Sequence, residues 1–114
     1  AKDSYQKIIL VKSNIAAKHM DIGRFYQKQK KYTAALNRYK IVVESYEETK
    51  FAPEALYRIS EIYLSLGMVE DSKKTAAVIG YNYPDSEWYR YIYEKITKEN
   101  KSSLFSKSIG KIFN

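Results

Sequence analysis

Apolar residues recur every three or four positions along most of the chain, which is the spacing of amphipathic helices. In the segment 32–46 the apolar residues are Tyr32, Ala35, Leu36, Tyr39, Val42, Val43 and Tyr46. The same spacing predicts further helices over about 3–29, 53–66, 69–82 and 87–99. Pro53 suits a first helical turn and Gly67 suits a left-handed helix end. The pattern therefore predicts an all-α fold of about five helices.

The pattern repeats along the chain. At a shift of 37 residues, Tyr26 falls on Tyr63 and Ile59 falls on Ile96. Each unit places small and aromatic residues at fixed offsets, namely Gly23, Tyr26, Ala35 and Tyr39, then Ser60, Tyr63, Ser72 and Ala76. Small residues let two antiparallel helices touch, and aromatic residues fill the gap to the next pair. This predicts tetratricopeptide-like hairpins stacked in a right-handed superhelix, with two complete hairpins and part of a third.

We expect the chain to have two parts. Residues 1–99 form the repeat domain, and residues 100–114 form a basic tail that is either disordered or a short helix. The first predicted helix spans roughly 40 Å at 1.5 Å per residue, and its N-terminal turns have no partner helix in this chain. We therefore expect residues 1–99 to be the C-terminal repeats of a longer protein.

Composition narrows the chemistry. The chain has no cysteine and a single histidine, His19, which excludes thiolate metal sites, disulfides and mechanisms that need two imidazoles. His19 fits a partly buried core residue better than a metal ligand or proton shuttle. No apolar run approaches the roughly 18 residues that a membrane-spanning helix needs. We expect a non-enzymatic protein without a cofactor or a metal.

Charge is uneven along the chain, whose formal net charge is +7. Residues 1–40 hold ten basic and two acidic residues, whereas residues 41–100 hold seven basic and eleven acidic residues. A basic surface can attract anionic lipid, nucleic acid or an acidic protein. The N-terminal lysines are spaced five and six apart and therefore lie on different faces of the helix, so nucleic acid is not an expected partner.

Most of the twelve tyrosines lie at packing positions of the repeat. Tyr89 and Tyr91 fall outside the apolar face of their helix and are surface candidates.

Three segments carry a more specific resemblance: FYQKQKKYTAALNRY at 25–39, EALYRISEIYLSLG at 54–67 and TAAVIGYNYPDSEWY at 75–89. Together they resemble the C-terminal half of the BamD family, the tetratricopeptide lipoproteins of the outer-membrane β-barrel assembly machinery. The resemblance implies a scaffold at the periplasmic face of the outer membrane in a Gram-negative bacterium. It also implies a lipid on an N-terminal cysteine, which this chain does not contain. The chain departs from the family pattern at Gln29-Lys30, which replaces an Arg-Gly turn, and at Glu47, which replaces a proline.

In that family the C-terminal repeats dock on the periplasmic POTRA region of BamA, the barrel component, through the arginine of an A-x-N-R motif. By position this arginine is Arg38. Further candidates for the same contact are Asn37, Lys31 and Arg24. The competing interpretation of Arg38 is a solvated helix residue or a salt bridge within the repeats, to Glu44 or Glu70. Other implied partners are the remaining lipoproteins of the BAM complex and unfolded outer-membrane proteins.

Two other functions are compatible with the sequence. One is a generic periplasmic tetratricopeptide adaptor of cell-envelope or division machinery, such as the coordinator proteins of the Tol-Pal system, which would lack the TAAVIGYNYPDSEWY segment. The other is an electrostatic binder of anionic lipid or nucleic acid, using the basic N-terminal helix and the tail. Binding of that second kind falls steeply with ionic strength.

Overall fold

The structure is a computed structural model that describes the backbone of residues 2–113 and the side chains of residues 2–101. Within that part, five α-helices follow one another: α1 Lys2–Lys28, α2 Tyr32–Ser45, α3 Phe51–Ser65, α4 Val69–Asn82 and α5 Glu87–Phe113. The predicted all-α, tetratricopeptide-like arrangement is confirmed. The bounds of the first four helices agree with the sequence-based ones to within two residues.

The fifth helix differs from expectation. It was predicted to end near residue 99, but α5 continues as one helix to Phe113. No proline interrupts residues 87–113, so the i to i−4 hydrogen bonds can continue through the Lys- and Ser-rich segment. The division into a repeat domain and a separate tail stays a prediction, and the side chains of 102–114 lie outside the described residues.

Two hydrophobic clusters hold the helices together. The first joins α1, α2 and α3 around the fully buried side chains of Met20, Tyr39 and Ile62. The second joins α3, α4 and α5 around Ile79 and Ile92. Because α3 contributes to both clusters, it is the central helix of the stack.

The small residues of the repeat lie where paired helices approach each other, as predicted. In the first pair, a Cβ atom added to Gly23 of α1 would come within 2.5 Å of the Tyr39 ring of α2. In the second pair, Ser60 and Ser72 exchange hydrogen bonds: the hydroxyl of each donates to the backbone carbonyl of the other, at 2.8 and 2.9 Å. Tetratricopeptide spacing therefore marks real points of close helix approach.

The aromatic residues of α5 divide between core and surface. Trp88 packs against the second cluster, which agrees with its repeat position. Tyr89 packs against the same cluster and lies on Gly80, where an added Cβ would be 2.7 Å from its ring, so the surface prediction for Tyr89 is wrong. Tyr91 is 37% exposed, as expected of a surface residue. Gly80 removes the side chain that would keep Tyr89 out, and helical spacing alone could not reveal that opening.

Candidate functional site

Arg38 lies on α2 and is half-buried against α1. Its Nη1 donates to Nδ1 of His19 at 3.2 Å. Among residues 2–101, no Asp or Glu forms an ion pair with Arg38, and neither Glu44 nor Glu70 serves as the intramolecular partner that the sequence offered. The Arg38 charge is therefore held by a neutral acceptor and is not balanced by a carboxylate within the described side chains.

His19 supports Arg38 from α1. Its ring is half-buried and lies 6.0 Å from the Tyr46 ring, centroid to centroid. Burial lowers the pKa of His19, and the neighbouring Arg38 charge lowers it further. The imidazole is consequently neutral near pH 7, and the Arg38 hydrogen bond requires Nδ1 to be the acceptor nitrogen. The expectation of a partly buried histidine at this position is confirmed.

Lys31 and Asn37 are exposed, and they precede Arg38 in the sequence by seven residues and by one residue. Lys31 ends the turn between α1 and α2, and its backbone carbonyl accepts from the Ala35 N–H at 3.1 Å, which starts α2. Asn37 immediately precedes Arg38 in the second turn of the helix. Neither of these two side chains forms an ion pair or a side-chain hydrogen bond with Arg38 in the described part of the chain.

Unlike the other three candidates, Arg24 forms ion pairs with carboxylates within the described part of the chain. Its Nη2 donates to Asp21 and its Nη1 donates to Glu54 of α3, both at 2.6 Å. Burial would lower the pKa of Arg24, but these two carboxylates outweigh burial and raise it. His19 and Arg24 are five residues apart on α1, so their side chains leave the helix about 140° apart. The structure therefore does not bring Arg24 and Arg38 together.

Arg24 belongs to a polar network that the sequence analysis missed. Glu54 of α3 also accepts from Arg58 Nε at 3.3 Å, and Glu61 accepts from Arg58 Nη1 at 3.4 Å. Lys95 of α5 donates to the other Glu61 oxygen. The network thus links α1, α3 and α5, and it surrounds an open cavity of about 340 Å³.

The repeat itself held a signal for this network. At the shift of 37 residues, Asp21 falls on Arg58 and Arg24 falls on Glu61, so each position reverses its charge from one unit to the next. Opposite charges at equivalent positions of neighbouring helices can pair across the stack. In the described part of the chain, however, no ion pair joins two such equivalent positions, since Arg24 pairs with Glu54, so comparing residue charge between the units marks a charged face without giving its pairs.

Glu61 is the central acceptor of the network. Its Oε1 accepts from Gln27 at 2.7 Å and its Oε2 accepts from the Tyr57 hydroxyl at 3.0 Å. Burial alone would raise the pKa of Glu61, but hydrogen bonds from Lys95, Gln27 and Tyr57 outweigh burial and lower it. Gln27 in turn accepts from the Tyr39 hydroxyl at 2.7 Å, and burial raises the pKa of Tyr39 to about 12. The network is therefore continuous with the first hydrophobic cluster.

One wall of the cavity is backed by aromatic rings. Trp88 lies 5.1 Å from Tyr57 and 5.6 Å from Tyr91, centroid to centroid. The Arg58 guanidinium carbon lies 5.4 Å from the Tyr57 ring centroid and 5.6 Å from that of Trp88. Arg58 is consequently fixed by two carboxylates and by two ring faces.

Two further properties concern the described residues only. No cluster of three or more His, Asp or Glu side chains there is arranged to hold a metal ion. None of the helices there combines the length and the apolar character needed to cross a membrane.

The helical pairs, their shared core and the polar face across α1, α3 and α5 define a protein of the helical-repeat class, which binds partners through stacked helices. A family model described as YfiO, an outer membrane lipoprotein, matches residues 1–79. The match covers more than half of the sequence, and the chain belongs to this family.

The curated relatives agree with that assignment. The chain is 48% identical over 96 residues to the outer membrane protein assembly factor BamD of Rickettsia prowazekii, covering 84% of this chain and 38% of the relative. It is 44% identical over 89 residues to BamD of Caulobacter vibrioides, covering 78% of this chain and 29% of the relative. With BamD of Neisseria meningitidis the identity is 26% over 103 residues, covering 80% and 39%. The chain spans less than two fifths of the length of each of these relatives.

Proposed function

We propose that this chain is a non-catalytic scaffold region of an outer-membrane protein assembly factor, which supports the folding and insertion of β-barrel proteins. The names of the relatives support this proposal, because each is called an outer membrane protein assembly factor. Stacked helices with a shared core suit a scaffold, since they hold binding residues on a stiff support. The site of action is then the periplasmic face of the outer membrane.

The docking partner is the POTRA region of BamA, and Arg38 is the main contact. The observation that carries this assignment is the pairing of Arg38 with His19, which leaves the Arg38 charge unbalanced by any acid among residues 2–101. An arginine has five N–H donors. Among the described side chains, Arg38 uses one of them, in its hydrogen bond to His19. The remaining donors suit a bidentate contact to a carboxylate of the partner.

Lys31 and Asn37 form the exposed rim of the same contact. Rim residues at interfaces contribute less affinity than a central, desolvated arginine. Arg24 is a weaker candidate here, because Asp21 and Glu54 already satisfy its guanidinium. Other lipoproteins of the assembly machinery and unfolded outer-membrane proteins are further partners in this proposal.

Calorimetric titration of the full-length protein with the BamA POTRA region of the same organism, at physiological salt, tests the proposal. Arg38→Glu should weaken binding by about 2–5 kcal/mol, because it leaves the partner's carboxylate facing a like charge. Lys40→Glu is the matched control: it makes the same charge change on the same helix at an exposed position, and it should change the affinity little. Equal affinities for Arg38→Glu and the unmodified protein would refute the assignment of Arg38.

Failure of the folded, unmodified protein to bind the POTRA region would refute the docking function as a whole. A generic adaptor of cell-envelope or division machinery would then be the better interpretation. If the affinities of Arg38→Glu and Lys40→Glu fell equally as the salt concentration rose, the contact would instead be a diffuse electrostatic one.

A further inference from the structure

The cavity between α1, α3 and α5 has the composition of an anion-binding groove. Four of its lining residues are cationic, namely Arg24, Lys28, Arg58 and Lys95, and one is acidic, Glu61. Asp21 pairs with Arg24, and Glu54 pairs with both Arg24 and Arg58. The cluster therefore carries four positive and three negative charges, which leaves one positive charge in excess.

The charges are layered by depth. The side chains of Glu54 and Glu61 are 10% and 15% exposed, whereas those of Arg24 and Lys95 are 32% and 45% exposed. Two acids thus lie at the base of the groove and the cations lie nearer its opening. The third acid, Asp21, is 74% exposed and pairs with Arg24, so a ligand entering the groove meets this pair together with Lys28 and Lys95.

Arg58 is held ready for a ligand. Its Nε and Nη1 are directed to Glu54 and Glu61, and its guanidinium lies against two aromatic rings. Its Nη2 has no hydrogen-bond partner among the described side chains. Because the side chain is already ordered, binding through Nη2 costs little conformational entropy.

Lys28 supplies the excess charge. It lies in the last turn of α1, lines the same cavity and is exposed. It forms no ion pair with any side chain of residues 2–101. A carboxylate entering the groove would therefore gain a lysine that no acid of the described part already occupies.

We propose that this groove binds a single carboxylate of a partner polypeptide, with Lys28 and the Nη2 group of Arg58 as its ligands. A single carboxylate matches the single excess positive charge, whereas a phosphate dianion would exceed it. The groove is separate from the Arg38 contact, since Arg24 and His19 leave α1 on different sides. It is thus a second binding surface, which can be occupied whether or not Arg38 docks a partner.

The probe is the peptide acetyl-Gly-Ser-Glu-Ser-Gly-amide, titrated into the isotope-labelled protein. The indole N–H of Trp88, the single tryptophan of the chain, and the Arg58 Nε–H report binding by nuclear magnetic resonance. Both signals should shift and saturate. The same peptide with Gln in place of Glu should bind at least tenfold more weakly. A third peptide, with Gln inside and a free terminal carboxylate, decides whether a side chain or a chain end is preferred.

Lys28→Glu should reduce the affinity for the Glu peptide at least tenfold. It should leave the protein folded, because Lys28 is exposed and unpaired among the described side chains. Lys40→Glu is the matched control and should bind normally. Arg58→Gln should also lose binding, whereas Arg90→Gln should not, since Arg90 also lies against an aromatic ring, at 5.6 Å from the Tyr91 centroid, but does not line the groove.

Equal binding of the Glu and Gln peptides, or unchanged binding by Lys28→Glu, would overturn the proposal. So would inorganic phosphate binding more tightly than the Glu peptide, or no shift at millimolar peptide. Arg38→Glu should bind the peptide normally, so the failure of this proposal can be told apart from failure of the POTRA docking.

Discussion

The two complete helix pairs solve one packing problem in two ways. In the first pair, α1 and α2, the crossing residues are Gly23 and the fully buried Tyr39. At the equivalent positions of α3 and α4, 37 residues on, lie Ser60 and Ala76, and Ser72 replaces Ala35. The first pair fits a large ring against a residue without a side chain. The second pair brings two serines close enough to exchange hydrogen bonds.

A large residue also packs against a small one where the second helix of a unit meets the first helix of the next unit. Gly80 of α4 lies under the Tyr89 ring of α5. Their counterparts 37 residues earlier are Val43 and Ala52, so the small residue has moved from one helix to the other. The backbone arrangement of the repeat therefore constrains the combined volume at a contact more than it constrains the residue at each position.

Removal of the Tyr39 ring should have the largest effect on stability. Tyr39→Ala empties the space above Gly23 and deletes the hydrogen bond to Gln27, and we expect a loss of about 3–5 kcal/mol in the free energy of unfolding. Urea denaturation of the protein measures this loss. Tyr81→Ala removes the same side chain at a position that is 88% exposed and should change stability by less than about 0.5 kcal/mol. Equal losses for the two variants would mean that the Tyr39 ring does not stabilise the packing of α1 against α2.

The serine pair should contribute less than the ring. Ser60→Ala and Ser72→Ala each delete one donated hydrogen bond, and we expect about 1 kcal/mol of destabilisation from each. The double variant should lose less than the sum, because the two hydroxyl oxygens also contact each other at 2.9 Å and that contact is lost only once. Ser65→Ala, at an exposed site on α3, is the control. Full additivity in the double-mutant cycle would show that the two serines act independently.

The helices and the points of close approach could be predicted from the sequence because each depends on local spacing. Apolar residues three and four apart set the buried face of α2 and α3, and Gly23, Ser60 and Ser72 stood out by their size alone. The continuation of α5 to Phe113 as one helix was missed, because the apolar residues after residue 100 are sparse and a Lys- and Ser-rich segment fits a disordered tail as well as a short helix.

The polar groove could not be predicted in the same way. Arg58, Glu61 and Lys95 are ordinary charged residues of amphipathic helices, and their pairing depends on which faces of α1, α3 and α5 meet. Conversely, Arg24 and Arg38 are close enough in the sequence to suggest one site, but the helical turn directs them apart. Side-chain direction across helices is the information that a single sequence lacks.

The smallest expected effect concerns the turns that close the two pairs. Lys30 and Gly67 occupy equivalent positions and both adopt the left-handed conformation, with φ of 60° and 75°. A residue with a Cβ pays roughly 1–2 kcal/mol for this conformation, and glycine avoids that cost but loses about 0.5–1 kcal/mol through the flexibility of the unfolded chain. We therefore expect Lys30→Gly to stabilise the protein by a few tenths to about 1 kcal/mol, measured by urea denaturation.

The opposite change at the second turn completes the comparison. No atom lies within 4 Å of a Cβ added to Gly67, so Gly67→Lys should destabilise by a similar amount through backbone conformation alone. Lys31→Gly, one residue beyond the left-handed position and at φ of −88°, should reduce stability because it gains only flexibility. If Lys30→Gly and Lys31→Gly were equally destabilising, the Lys30 side chain itself would hold the first turn. The two turns would then differ in mechanism as the two helix crossings do.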